Sequence, residues 1–220
     1  MLAPVEANGV RPRVSSERRE GTRQRLLMRV AKLRCASGEY PCILQDVSEM
    51  GARLRMFHAH PPDTHMFLEL GDETLYAIER RWIDGDQAGY LFSSPVDTND
   101  FVKEQKAPKR RPVRLRIQHP AQIVSSGERG HVVLVNLSAQ GACIEAGRKL
   151  SVGTPLRIEI GGRASRFAHV CWRKDYRHGI AFQEAMPFQQ FAELALALQP
   201  FSAGSAVLDL AEEHARKLSA

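Results

Sequence analysis

Asp46-Val47-Ser48-Glu49-Met50-Gly51-Ala52 and, ninety positions later, Asn136-Leu137-Ser138-Ala139-Gln140-Gly141-Ala142 are two versions of one short pattern. Working outward from them, the same shift places Trp82 on Trp172, and these are the two tryptophans of the chain. Phe92 falls on Phe182, Gly89 on Gly179, Phe101 on Phe191, and Glu69-Leu70-Gly71 on Glu159-Ile160-Gly161. Upstream the shift becomes 91, carrying Arg19, Arg23 and Arg25 onto Arg110, Arg114 and Arg116. The extra residue is expected in the hairpin turns near Ser37-Gly38 and Ser126-Gly127. Self-similarity on this scale, in rare residue types, marks two copies of one structural unit.

The repeat sets the domain organisation: an N-terminal arm over 1–14, a first domain over 15–104, a linker over 105–108, a second domain over 109–200, and a C-terminal helical tail over 201–220. The linker region around Pro108 is polar and lacks apolar periodicity. Within the first copy, 30–35 and 42–47 read as strands either side of a turn. Segment 52–56 alternates small or apolar with charged residues, as a half-buried strand does. Segments 66–70, 75–80 and 88–92 follow, and the second copy repeats the order as far as 177–182. Five or six short strands per copy, separated by turn residues, predict an all-β fold of two tandem small antiparallel barrels. A helix is expected after each, at 98–104 and 188–198, with a last one over 206–218. Trp82 and Trp172, flanked by apolar residues inside strands, are expected in the cores.

Each copy sets an Arg-x-x-x-Arg pair ahead of an Asp/Asn-x-Ser-x-x-Gly pattern. The pairs are Arg19 with Arg23 and Arg110 with Arg114; the second pattern is Asp46, Ser48, Gly51 and Asn136, Ser138, Gly141. Arg25 and Arg29 also fit the first pattern, but their repeat counterparts, Leu115 and His119, are not arginines. Arg29 is also only 17 residues from Asp46, against 23 for Arg23 and 22 from Arg114 to Asn136. The double occurrence of both patterns at matched spacing resembles the PilZ domain family.

That resemblance implies a receptor for cyclic di-GMP, with these ten residues as its binding set and the arginine arms closing over the ligand. The residue types suit such a ligand. A guanidinium presents a planar fork of donors to phosphate oxygens or to guanine O6 and N7, and can stack on a base. A carboxylate or amide oxygen at position 46 or 136 can accept from guanine N1–H and N2–H₂. Ser48 and Ser138 offer hydroxyls, and Gly51 and Gly141 allow a positive φ or a close approach. Ligand binding is expected to fix the angle between the barrels and present a new surface to a partner protein, with no cofactor and no reaction.

Composition narrows the alternatives. A net charge of +6 and a pI near 9.4 favour an anionic partner. Nucleic acid fits that charge but is disfavoured, because aromatics are only 7% of residues and the strands lack exposed Phe/Tyr pairs for base stacking. A non-catalytic scaffold, with one or both sites silent, stays open. No Gly-x-Ser-x-Gly, phosphate-loop or His-Glu-x-x-His pattern occurs, so an enzyme is not expected. Cys35, Cys42, Cys143 and Cys171 lack metal-site spacing and are expected as mostly buried free thiols; His58, His60 and His65 have no partnering cysteine, so no metal is expected. With no run of about 20 apolar residues and no signal-like N-terminus, the expected location is cytoplasmic, without a membrane span.

Overall fold

A computed structural model describes residues 24–70, 74–103, 112–163 and 165–201. In chain order these form β1 Gln24–Cys35, β2 Gly38–Val47, β3 Gly51–Arg55, β4 His65–Glu69, β5 Leu75–Asp84, β6 Gln87–Phe92 and α1 Thr98–Lys103. The second half repeats them as β7 Leu115–Ser125, β8 Glu128–Ser138, β9 Gly141–Ala146, β10 Pro155–Ile160, β11 Arg166–Lys174, β12 Arg177–Phe182 and α2 Phe188–Leu198. Each set of six strands closes into an antiparallel barrel with the same neighbour order, β1-β2-β3-β6-β5-β4 and β7-β8-β9-β12-β11-β10. Closure removes the unpaired sheet edges.

The period-two pattern explains which residues turn inward. Leu33, Leu44, Leu54, Leu68 and Ile78 fill the first core, and Ile123, Leu134, Ile144, Ile158 and Ile180 the second. Each helix then places one phenylalanine against its barrel, Phe101 from α1 and Phe191 from α2, both essentially inaccessible to solvent. Arg29 ties α1 down: its two Nη groups donate to the carbonyls of Phe101 and Leu70 at 2.9 and 3.1 Å.

Two sequence expectations are corrected. The one-residue drift in the repeat does not lie in the hairpin turns, which are both two residues long, with Cys35 paired to Gly38 and Ser125 to Glu128. It lies in a bulge. The ladder runs from Arg25↔Asp46 to Arg29↔Leu44 in the first barrel, but from Arg116↔Asn136 to His119↔Leu134 in the second. The longer bulge contains Met28, at φ 30° and with its side chain in solvent. A side chain in the left-handed region is tolerated where a bulge has to absorb an extra residue.

The tryptophans are not core residues. Trp82 and Trp172 are 38% and 42% exposed. Each follows a register shift in its strand and pairs with a glycine, Trp82 with Gly89 and Trp172 with Gly179. The indole lies over that glycine on the outer face, where any Cβ would collide with the ring. Thus the aromatic covers bare backbone that a glycine leaves open.

Charge joins the barrels at their seam. Lys32 and Arg34 on β1, Glu39 on β2 and Glu69 on β4 form a buried quartet, their side chains 3–10% exposed. Lys32 Nζ reaches Glu39 at 3.0 Å and Glu69 at 3.3 Å, and Arg34 reaches the same two carboxylates at 3.2 and 3.6 Å. The third donor of Lys32 goes to the carbonyl of Arg114 at 2.9 Å, and the backbone N–H of Arg116 donates to Glu39 Oε2 at 2.8 Å. The quartet therefore grips the strand entering the second barrel.

Close by, the side-chain amide of Gln199, at the end of α2, bonds both backbone groups of Glu39. The Tyr40 hydroxyl donates to the Gln199 carbonyl at 2.9 Å, and Phe57 meets Phe188 edge to face at 5.1 Å. Removing one member of a buried ion network strands its partners' charge, at about 3–5 kcal/mol. Lys32→Met is accordingly expected to lower stability by about that amount. Breaking the exposed Arg148–Glu128 pair should cost about 1 kcal/mol or less. Urea titrations followed by tryptophan fluorescence would separate the two; equal midpoints for both variants would contradict this account of the seam.

Candidate functional site

The Asp/Asn position owes its geometry to bulges. Leu44 and Val47 both point into the first core although they are three residues apart, because β2 bulges between Leu44 and Asp46 against β3. The same shift lies between Leu134 and Asn136 in β8, with Leu134 and Leu137 inward. Period-two alternation would not place Asp46 or Asn136 as it does; the inserted residue sets each on the outer face. Bulges in β1 and β7 face these positions, so both strands bend at one end of each barrel.

The rest of the pattern builds a corner. Ser48 N–H donates to the Gly51 carbonyl at 2.8 Å, its hydroxyl donates to the same oxygen at 3.2 Å, and Gly51 N–H donates back to the hydroxyl at 3.1 Å. Ser138 repeats the bond to Gly141 at 3.0 Å and is buried. Neither Gly51 nor Gly141 has a positive φ. Their requirement is steric: a Cβ on Gly51 would lie 2.7 Å from the Tyr90 carbonyl oxygen, and one on Gly141 would strike that of Ile180. In the structure, then, the serines and glycines hold the turn against the neighbouring strand.

Of the arginines, Arg19, Arg23 and Arg110 lie outside the described residues. Arg114 is exposed just before β7, and Arg116 two residues later pairs with Asn136 in the ladder. Leu115 and Ile117 between and after them are buried, so Arg114 and Arg116 share the outer face with Asn136. The electrostatics agree. Burial pushes the Cys143 thiol above its ordinary pKa, and the nearby charges of Arg177 and Arg114 oppose the rise. Cys143 is itself the β9 partner of Asn136. Arg114, Arg116, Asn136 and the Ser138–Gly141 turn thus gather at one end of the second barrel. Arg29 stands apart, committed to the backbone beneath α1.

The two copies differ at one position that sequence reading passed over. Asp46 is paired across the ladder with Arg53, whose Nη2 forms an ion pair with its Oδ2. The matching partner of Asn136 is Cys143, and Asn136 Oδ1 is buried with no hydrogen-bond partner among the described residues. Laying the repeats side by side displays Arg53 against Cys143, but only the bulged register shows that each faces the motif residue.

His58 packs on the Tyr40 ring at 5.4 Å while His60 Nε2 faces the Gly85 carbonyl, and no group of three metal-ligating side chains occurs among the described residues. Cys35, Cys42 and Cys143 are buried and Cys171 is exposed, all as free thiols. No described helix is long and apolar enough to cross a membrane.

Comparison with known proteins gives a match to the PilZ domain family model over residues 108–198. No curated protein matches the chain. Among solved structures, it is similar to the PlzA protein of Borreliella burgdorferi in complex with c-di-GMP, at 14% identity, 82% of this chain, 94% of that chain and a TM-score of 0.32. It is also similar to YcgR from Escherichia coli in complex with c-di-GMP, at 12% identity, 86% of both chains and a TM-score of 0.32. For the inhibitor of motility MotI (DgrA) of Bacillus subtilis the values are 16%, 77%, 93% and 0.33. The matched segment runs from before β7 to the last residue of α2, so the second barrel and its helix form a PilZ domain.

Proposed function

We propose that this chain is a non-catalytic receptor for cyclic di-GMP that alters the relation of its two barrels on binding and so signals to a partner protein. The observation that carries the reading is the gathering, inside the family-matched segment, of exposed arginines and an amide oxygen without a partner among the described residues. The ligand offers what that surface lacks: phosphate oxygens for the Arg114 fork, and guanine N–H groups for Asn136 Oδ1. The amide's terminal torsion is soft, so a turn of the side chain brings its oxygen to an incoming base.

Arg110 and Arg114 would clasp the nucleotide, Asn136 would read its guanine, and Ser138 with Gly141 would hold the corner that presents Asn136. Arg19, Arg23, Asp46, Ser48 and Gly51 occupy the corresponding positions of the first copy. The route from ligand to partner runs through the seam. A pull on Arg114 acts on backbone that Lys32 and Glu39 hold from the first barrel, so ligand and seam compete or cooperate over the same residues. Such coupling requires the ligand to prefer one arrangement over the other.

Calorimetric titration with cyclic di-GMP tests the binding. Arg114→Ala removes a charge-assisted contact worth about 1.5–3 kcal/mol, or roughly 10- to 150-fold in Kd. Arg114→Lys, which keeps the charge without the fork, is expected to fall between the two. An unchanged Kd in both variants would remove Arg114 from the site. Small-angle scattering with and without ligand tests the rearrangement, which superimposable profiles would rule out. Gly141→Ala is expected to act on the fold, costing about 1–3 kcal/mol by overpacking against β12. Its thermal midpoint should drop without ligand present; an unshifted midpoint would mean the strands accommodate the methyl group.

A further inference from the structure

The two copies share their motif spacing but differ in local chemistry. Counting back from the ladder partner of the motif residue, Arg23 lies two residues before Arg25 and Arg114 two before Arg116. The extra bulge residue of the first barrel falls on the far side of that point, so it does not disturb the arginine spacing. The serine corner and the close-packed glycine are likewise the same in both barrels. What differs is the residue across from the motif position. Arg53 pairs with Asp46, whose side chain is 8% exposed, while Arg53 keeps 34% of its own exposure. Cys143 has neither the reach nor the charge to do the same for Asn136.

From this we infer that the barrels are unequal: the second takes the nucleotide, and in the first Arg53 occupies Asp46 in place of the ligand's guanine and keeps that site shut. The inference rests on the cyclic di-GMP reading. Its physical basis is competition for one acceptor. A guanine N–H would have to displace a guanidinium; both donate to an ionised carboxylate, but only the guanidinium brings a full opposite charge to it. At Asn136 the ligand displaces nothing among the described residues and satisfies an oxygen that is otherwise buried without a partner. The first barrel then serves the second. Its quartet of Lys32, Arg34, Glu39 and Glu69 has Gln122, Val124, Arg129 and Glu159 at the matching ladder positions of the second, so only the first copy carries the clamp.

Exchanging the ladder partners in the full chain tests this by titration with cyclic di-GMP. With Arg114→Ala and Asn136→Ala combined, all binding is expected to disappear, however many ligand molecules one site holds. Adding Arg53→Cys, or Arg53→Ala should the cysteine variant not fold, is expected to restore binding through the opened first barrel. In the reverse direction, Asn136→Asp with Cys143→Arg builds the ion pair into the second barrel and should weaken binding about tenfold or more. Circular dichroism melts establish that each variant is folded.

Residual binding in the Arg114→Ala/Asn136→Ala chain, or no restoration by either Arg53 variant, overturns the inference while leaving the receptor reading intact. Loss of affinity when Arg53→Cys is made alone would instead make Arg53 a ligand contact and also overturn it. A wild-type chain that binds no cyclic di-GMP defeats the underlying reading itself.

Discussion

Lys32 and Glu39 hold the backbone of 114–116 with two hydrogen bonds from inside a buried ion quartet, and much of the molecule is arranged around that grip. Burying four charges is costly, and their mutual attraction repays it only where every remaining donor and acceptor is satisfied. Here three donors of one ammonium find two carboxylates and a carbonyl, and the spare carboxylate capacity accepts a peptide N–H. The carbonyl and the N–H come from the second barrel. Seam and quartet are therefore one structure, and neither is complete without the other.

The grip falls on the strand that carries Arg114, two residues from the partner of Asn136. Gln199 and Tyr40 pin the far end of the second barrel, at the close of α2, to the same hairpin of the first. Entry and exit of the second barrel are thus both held by β1 and β2. Any displacement of the entry strand is therefore measured against the first barrel, which holds it through the quartet.

Duplication explains why two barrels of identical topology can divide in role. The scaffold is the same: bulge, serine corner, close-packed glycine, and a tryptophan laid over a glycine. Divergence is concentrated in side chains that neither core needs. Arg53 against Cys143 changes the motif position, and Lys32, Arg34 and Glu39 against Gln122, Val124 and Arg129 change the seam. These are outward positions, where a change leaves the packing inside each barrel intact.

The amino-acid sequence by itself determined the duplication, the strand-rich barrel class, the two helices that follow the barrels and the spacing of the arginine and Asp/Asn-x-Ser-x-x-Gly patterns. All of these are local or periodic properties that a linear reading can count. Only the tertiary structure decided that the tryptophans face outward, that the repeat drifts in a bulge and not in a turn, that Arg53 meets Asp46, and that Glu39 meets the N–H of Arg116. Each depends on which residues stand opposite one another across a ladder or a seam. A single bulge shifts that register by one, which reverses the face a side chain takes, and nothing in local composition marks where a closed barrel must bulge to close.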